Sequence, residues 1–130
     1  MLQLIFHAIA VAENAIVYNF IQRLIKSQCD CSSDWRREAI TMMTVYNFVI
    51  ILLSLLSSEK LKPASYVWFM GIYSLIYFGT VLSYAHHLRD QGCLCAEGLD
   101  ADWIYYTRVI DLVVFTLAVT IGVFFAKETR

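Results

Sequence analysis

Four long apolar stretches, separated by short polar segments, limit what this chain can fold into. They run from Leu2 to Ile25, Ala39 to Leu56, Ala64 to Leu88 and Trp103 to Ala126. Each is close to the roughly 20 residues that a helix needs to cross about 30 Å of hydrocarbon. A soluble bundle with helices this long would keep a polar face for water. Between Val45 and Leu56 the only polar side chains are Tyr46, Asn47 and Ser54, and no charge lies between Val67 and Leu82. Composition agrees: 59% of residues are hydrophobic and 16% charged, against roughly 45–50% and about 25% in soluble domains. The expected fold class is all-α: four transmembrane helices forming a four-helix membrane bundle, with residues 1–130 as a single membrane domain.

The first stretch carries Glu13 and Asn14 at its middle. Met1 to Gln22 contains no Lys or Arg, and Glu13 interrupts the apolar run, so a cleaved signal peptide is not expected. The net charge of −1 argues against a nucleic-acid partner, and with Arg36-Arg37 as the longest basic run a polybasic membrane-surface segment is not expected. The lipid bilayer is the expected partner and a multi-pass membrane position the expected localisation. Lys and Arg do not choose an orientation. Arg23, Lys26, Arg36, Arg37 and Arg89 fall on one side, and Lys60, Lys62, Lys127 and Arg130 on the other.

The connections, Lys26–Asp34, Ser57–Pro63 and Arg89–Asp102, are short enough to make neighbouring helices antiparallel. This divides the chain into hairpin one, 1–58, and hairpin two, 59–130. Pro63 suits the first turn of the third helix. Asp34 and Asp102 stand where capping residues for the second and fourth helices belong.

The two hairpins look alike. The first connection reads Cys29-Asp30-Cys31-Ser32-Ser33-Asp34-Trp35. The third reads Cys93-Leu94-Cys95, then an acidic insert, then Ala101-Asp102-Trp103. Both carry C-x-C followed by Asp-Trp, at the same place between an odd and an even helix. This is a degenerate internal repeat, with both cysteine loops on one side of the membrane and a pseudo-two-fold axis along its normal. Trp35 and Trp103, with Tyr105 and Tyr106, are expected as anchors at that interface. Tyr66, Trp68, Phe124 and Phe125 belong to the other.

Cys29, Cys31, Cys93 and Cys95 are all the cysteines present. Three chemistries suit them. Structural disulfides are favoured; a bond within one C-x-C is strained, so they are expected between the hairpins, from Cys29 or Cys31 to Cys93 or Cys95. A four-thiolate zinc site usually has C-x-x-C spacing, so no metal is assigned. The third is a redox relay between the two pairs.

Ionisable groups inside a span are expensive and conspicuous. Glu13, Asn14, Asn47, Arg108 and Asp111 are the intramembrane polar residues. Arg108 and Asp111 are three apart and share a helix face. Asn14 with Asn47, and Glu13 with the Arg108–Asp111 pair, are expected as hydrogen bonds holding helices together rather than as an ion path. Ala8, Ala12, Gly71, Gly79 and Ser83 are small enough for close helix approach.

Three resemblances follow from these residues. The layout of four spans with cysteine pairs on one face resembles the DsbB and vitamin K epoxide reductase group. That resemblance implies a membrane thiol-disulfide oxidoreductase, with Arg36 and Arg37 beside its reactive pair. The group's reactive C-x-x-C is missing here. The run Tyr106–Asp111 is similar to the third helix of microbial rhodopsins, but four spans cannot enclose retinal, and no cofactor is expected. The stretch Cys29–Arg37, with C-x-C, Asp-Trp and two arginines before a span, resembles small multi-span membrane proteins of large double-stranded DNA viruses of algae and protists. Hairpin two keeps C-x-C and Asp-Trp without the arginine pair. That resemblance implies a non-enzymatic structural component of a virion inner membrane, linking it to other membrane or capsid proteins. The acids Glu97, Asp100 and Asp102 would then receive a basic partner surface.

Overall fold

In a computed structural model the chain is all-α, described over residues 2–56 and 64–128. Helix α1 spans Leu2–Lys26, α2 Trp35–Leu56, α3 Ala64–Asp90 and α4 Leu99–Glu128. Short 3-10 turns at Asp30–Ser32 and Leu94–Ala96 lie in the two cysteine connections. The α2–α3 connection lies outside the described residues, with Pro63, Lys60, Lys62 and the boundary between hairpins; so does Arg130. Each helix packs against its neighbours in the chain, and α1 closes the ring against α4. All four are long and apolar enough to cross a membrane. At 22 to 30 residues they run roughly 33–45 Å, so they tilt or extend past the hydrocarbon.

One helix start agrees with the sequence expectation and one differs. Helix α2 begins at Trp35, directly after Asp34, which caps it. The Asp34 carbonyl accepts from the Arg37 amide at 3.0 Å and its carboxylate from the Arg36 amide at 3.5 Å. Helix α4 begins at Leu99 rather than Trp103. Asp102 is therefore not a cap; it lies with Asp100 in the first turn, where a carboxylate meets the positive end of the helix dipole.

The repeat is written in the backbone. Cys29 and Cys93 are 64 residues apart, and helices α1 and α3 end identically at that offset. The Cys29 amide donates to Leu24 and the Cys93 amide to Leu88, at 3.2 and 3.1 Å. The residue before each cysteine is left-handed: Gln28 at φ +51° and Gly92 at φ +60°. This is a helix end closed through a left-handed residue, natural for glycine and costing Gln28 about 1–2 kcal/mol. The amides of Ser32 and Ala96 then return to the carbonyls of Cys29 and Cys93, which forms both 3-10 turns.

Burial repeats as well. Val17 with Val81, Phe20 with Tyr84, Ile21 with Ala85, Leu24 with Leu88 and Ser32 with Ala96 are all buried, each pair again 64 apart. Past the longer second connection, Ile40 and Arg108 occupy matching buried positions. The core therefore sits in the cysteine-side half. Toward the other end, Leu4, Phe6, Leu52, Leu53, Ile121, Phe124 and Phe125 are exposed. In a bilayer these side chains face lipid tails as apolar as themselves, so burying them between helices gains little. Gly71 allows Phe115 of α4 to approach, with 3.6 Å left for an added Cβ, whereas a Cβ added at Gly79 would meet nothing within 4 Å among the described residues.

Candidate functional site: a cysteine cap above an intramembrane polar cluster

The two 3-10 turns bring all four cysteines together. Cys29 is bonded to Cys95 and Cys31 to Cys93, with Cα–Cα separations of 6.1 and 6.0 Å. Exchanging the two halves of the repeat turns one bond into the other, so the staple has the symmetry of the backbone. The bonds join hairpin to hairpin, and none lies within a C-x-C. Cys29 and Cys93 are buried against Leu24 and Leu88, while Cys31 and Cys95 are exposed at the surface.

Arginines hold the cap down. Arg23 of α1 donates to the carbonyls of Ala96 and Glu97 at 3.5 and 3.3 Å and pairs with Asp100 at 2.9 Å. Glycine at 98 makes room for this pair: a Cβ there would stand 2.7 Å from the Asp100 carboxylate and 3.1 Å from the Arg23 guanidinium. Arg37 donates to the Ser32 hydroxyl, which donates to the Cys29 carbonyl at 2.7 Å. The Tyr84 hydroxyl donates to the Ser32 carbonyl at 2.7 Å, tying α3 to the first turn. Arg36 lies over the Trp35 ring, pairs with Asp34 and donates to the Ser83 carbonyl. Arg89 pairs with Asp102 and stacks 4.2 Å from the Tyr105 ring centroid. Two of the three acids expected to meet a basic partner, Asp100 and Asp102, are thus engaged within the chain. Trp35, in the first turn of α2, and Trp103, in the second turn of α4, are both exposed, as are Leu94 and Leu99.

Deeper in the bundle lie two polar clusters that share Tyr77. In the first, the Asn14 side-chain oxygen accepts from Asn47 of α2 at 3.0 Å and from Tyr77 of α3 at 3.1 Å. The Asn14 amide donates to the Ala10 carbonyl, and the Thr44 and Tyr77 hydroxyls lie 3.0 Å apart. Three helices are joined through one asparagine. In the second, Arg108 of α4 pairs with Asp111 at 2.8 Å and with Glu13 of α1 at 3.4 Å. Its guanidinium stands 5.6 Å from the Tyr77 ring and 5.1 Å from that of Phe78. Arg108 is 2% exposed. Glu13 and Asp111 lie roughly 17–18 Å along their helices from Leu2 and Leu99, near mid-membrane. Sequence reasoning missed Tyr77 and Thr44, because a tyrosine or threonine in an apolar run carries no signal until a neighbouring helix supplies its partner.

Tyr77→Phe should remove the hydroxyl between Thr44 and Asn14 while keeping the ring under Arg108. The expected cost is about 0.6–2 kcal/mol, read from thermal unfolding in detergent. A cost at Phe78→Leu but none at Tyr77→Phe would assign the site to ring packing instead.

Four apolar spans, closed into a bundle with its charges and amides turned inward, define an integral membrane protein of the multi-pass, all-α class. No family model, curated protein or solved structure matches the chain.

Proposed function

We propose that this protein is a non-enzymatic structural component of a membrane, the inner membrane of a virion, and that its cysteine face meets an overlying shell or partner proteins. The observation that carries the reading is the crossed pair of disulfides, which locks both hairpins into one rigid platform. A bond that crosses symmetric turns resists the relative motion of its halves, which serves architecture. Disulfides persist on an oxidising side of a membrane or where a dedicated oxidase forms them, so the cap would face that side. Around it, Trp35, Leu94, Leu99 and Trp103 project outward, a mixture of aromatic and aliphatic groups suited to an interface. With Asp100 and Asp102 paired internally, Glu97 is the acid best placed to meet a basic partner.

The test is association of the full chain with the shell or membrane proteins of its source. Glu97→Lys should weaken it roughly tenfold or more, since like charge at an interface costs several kcal/mol. Leu99→Asp should act similarly, and neither should alter the disulfides or the fold. Unchanged association in both variants would remove this face from the reading.

A thiol-disulfide oxidoreductase is the second reading, and one observation favours it. A cleft of about 590 Å³ opens beside Cys93, lined by Phe20, Ala85, Leu88, Arg89 and Asp102. It has the size of a small-molecule site. Disulfides that form and then sustain no catalytic turnover support the structural reading. Turnover through a trapped mixed disulfide supports the enzyme.

A further inference from the structure

We propose that the four cysteine sulfurs, once reduced, form a tetrahedral site for one thiophilic divalent cation, zinc, so that the cap exchanges two disulfides for a metal. Within each C-x-C the sulfurs are 3.6 Å apart, Cys29 from Cys31 and Cys93 from Cys95. Across the pseudo-two-fold axis, Cys29 and Cys93 are 3.4 Å apart, and Cys31 and Cys95 3.5 Å. A zinc ion with four thiolates at about 2.3 Å has sulfur–sulfur edges of about 3.8 Å. Four of the six edges thus stand within a few tenths of an ångström of a zinc tetrathiolate. The two bonded pairs have to part, by side-chain rotation, and to draw slightly closer to each other as they do.

C-x-C is an unusual spacing for such a site, but the backbone here offsets it. Each 3-10 turn, closed by an amide returning to the cysteine carbonyl, aims both of its sulfurs the same way. Charge supports the site too. Four thiolates and one zinc carry a net charge of −2. Arg37 contacts Ser32, the residue after Cys31, and Arg23 contacts the carbonyls of Ala96 and Glu97, directly after Cys95. Two guanidiniums therefore flank the cluster. Cys29 and Cys93 are buried, and Cys31 and Cys95 are exposed, so an ion has an entry path from the surface.

The chemistry balances with a dithiol as reductant. Each protein disulfide takes two electrons and two protons from the dithiol, giving two cysteine thiols and one oxidised dithiol. Zinc then binds as the thiols release their protons to water. The inference stands apart from the virion reading, because the same cap could hold a metal in any membrane.

The experiment uses the full chain in detergent micelles, reduced with a phosphine that is removed before metal is added. Cobalt(II) should bind at one ion per chain and give the intense visible bands of a tetrahedral tetrathiolate. Zinc should displace it stoichiometrically, and the zinc-loaded chain should resist re-oxidation that the metal-free chain undergoes. Cys31→Ser and Cys95→Ser should each weaken zinc by roughly 100-fold or more, since even outer-shell losses cost 10–100-fold. If reduction lowers helicity, zinc should restore it. The proposal is overturned by a reduced chain that binds no cobalt, by non-tetrahedral spectra, by unchanged affinity in the serine variants, or by lost helicity that zinc fails to restore. A failure there would leave association of the oxidised chain with its partners untouched.

Discussion

Arg108→Met should be the most damaging single substitution in this protein. It removes the cation that pairs with both Glu13 and Asp111 and leaves two carboxyl groups near mid-membrane without it. Removing one partner of a buried ion pair costs about 3–5 kcal/mol. That is a large share of the roughly 5–15 kcal/mol that holds a domain of ordinary stability. Arg108 also lies against the Tyr77 and Phe78 rings, so the loss reaches α3 as well as α1. The expected result is a chain that expresses poorly or unfolds far earlier in detergent. The triple variant Glu13→Leu, Arg108→Met, Asp111→Leu should recover most of that loss, because replacing a whole buried charge cluster by apolar groups is often neutral or stabilising. Wild-type stability in Arg108→Met, or no recovery in the triple variant, would show that these charges do not hold α1 to α4.

The second large effect concerns the staple, and its form is non-additive. Cys29–Cys95 closes a loop with a sequence separation of 66, and Cys31–Cys93 one of 62. Loop-closure entropy for that length is worth about 4 kcal/mol. Either bond alone supplies it. With one bond in place, the other closes only a ring through residues 29–31 and 93–95, worth about 2 kcal/mol by the same relation. Cys29→Ser with Cys95→Ser, or Cys31→Ser with Cys93→Ser, should therefore cost about 2 kcal/mol. Replacing all four cysteines should cost clearly more than the two double variants summed, up to about 6 kcal/mol. Helices that persist in the unfolded membrane state reduce both figures, not their order. Thermal unfolding of the metal-free chains in micelles measures this directly. Equal losses in the double and quadruple variants would refute it.

How much was legible beforehand differs by feature. The four spans were, because hydropathy over twenty residues answers to the bilayer and to nothing else in the fold. The repeat was legible in its cysteines, although its fuller form was not. Val17 with Val81 and Phe20 with Tyr84 are unremarkable as letters and become a pattern only once burial is known. Asp102 reads as a cap but lies inside the first turn of α4. In isolation, Asp-Trp before an apolar run reads as a helix start, whereas the Arg89–Asp102 pair and the Arg23 contacts favour a helix that begins at Leu99. The acidic insert likewise reads as a surface for a basic partner, whereas Asp100 is paired within the chain to Arg23 of α1.

Apolar length and the paired C-x-C turns were settled by local chemistry: how many residues cross a bilayer, and which residues close a helix end. Those are properties of short segments, and the chain carries them wherever it is placed. Three outcomes depended on the packed bundle: which cysteine bonds which, that Tyr77 serves both polar clusters, and that Arg108 is buried opposite Glu13. Each requires side chains from distant segments of the chain to come into contact. Helix rotation and tilt set such distances, and a sequence of apolar spans leaves both open, because lipid accepts any face the bundle does not use.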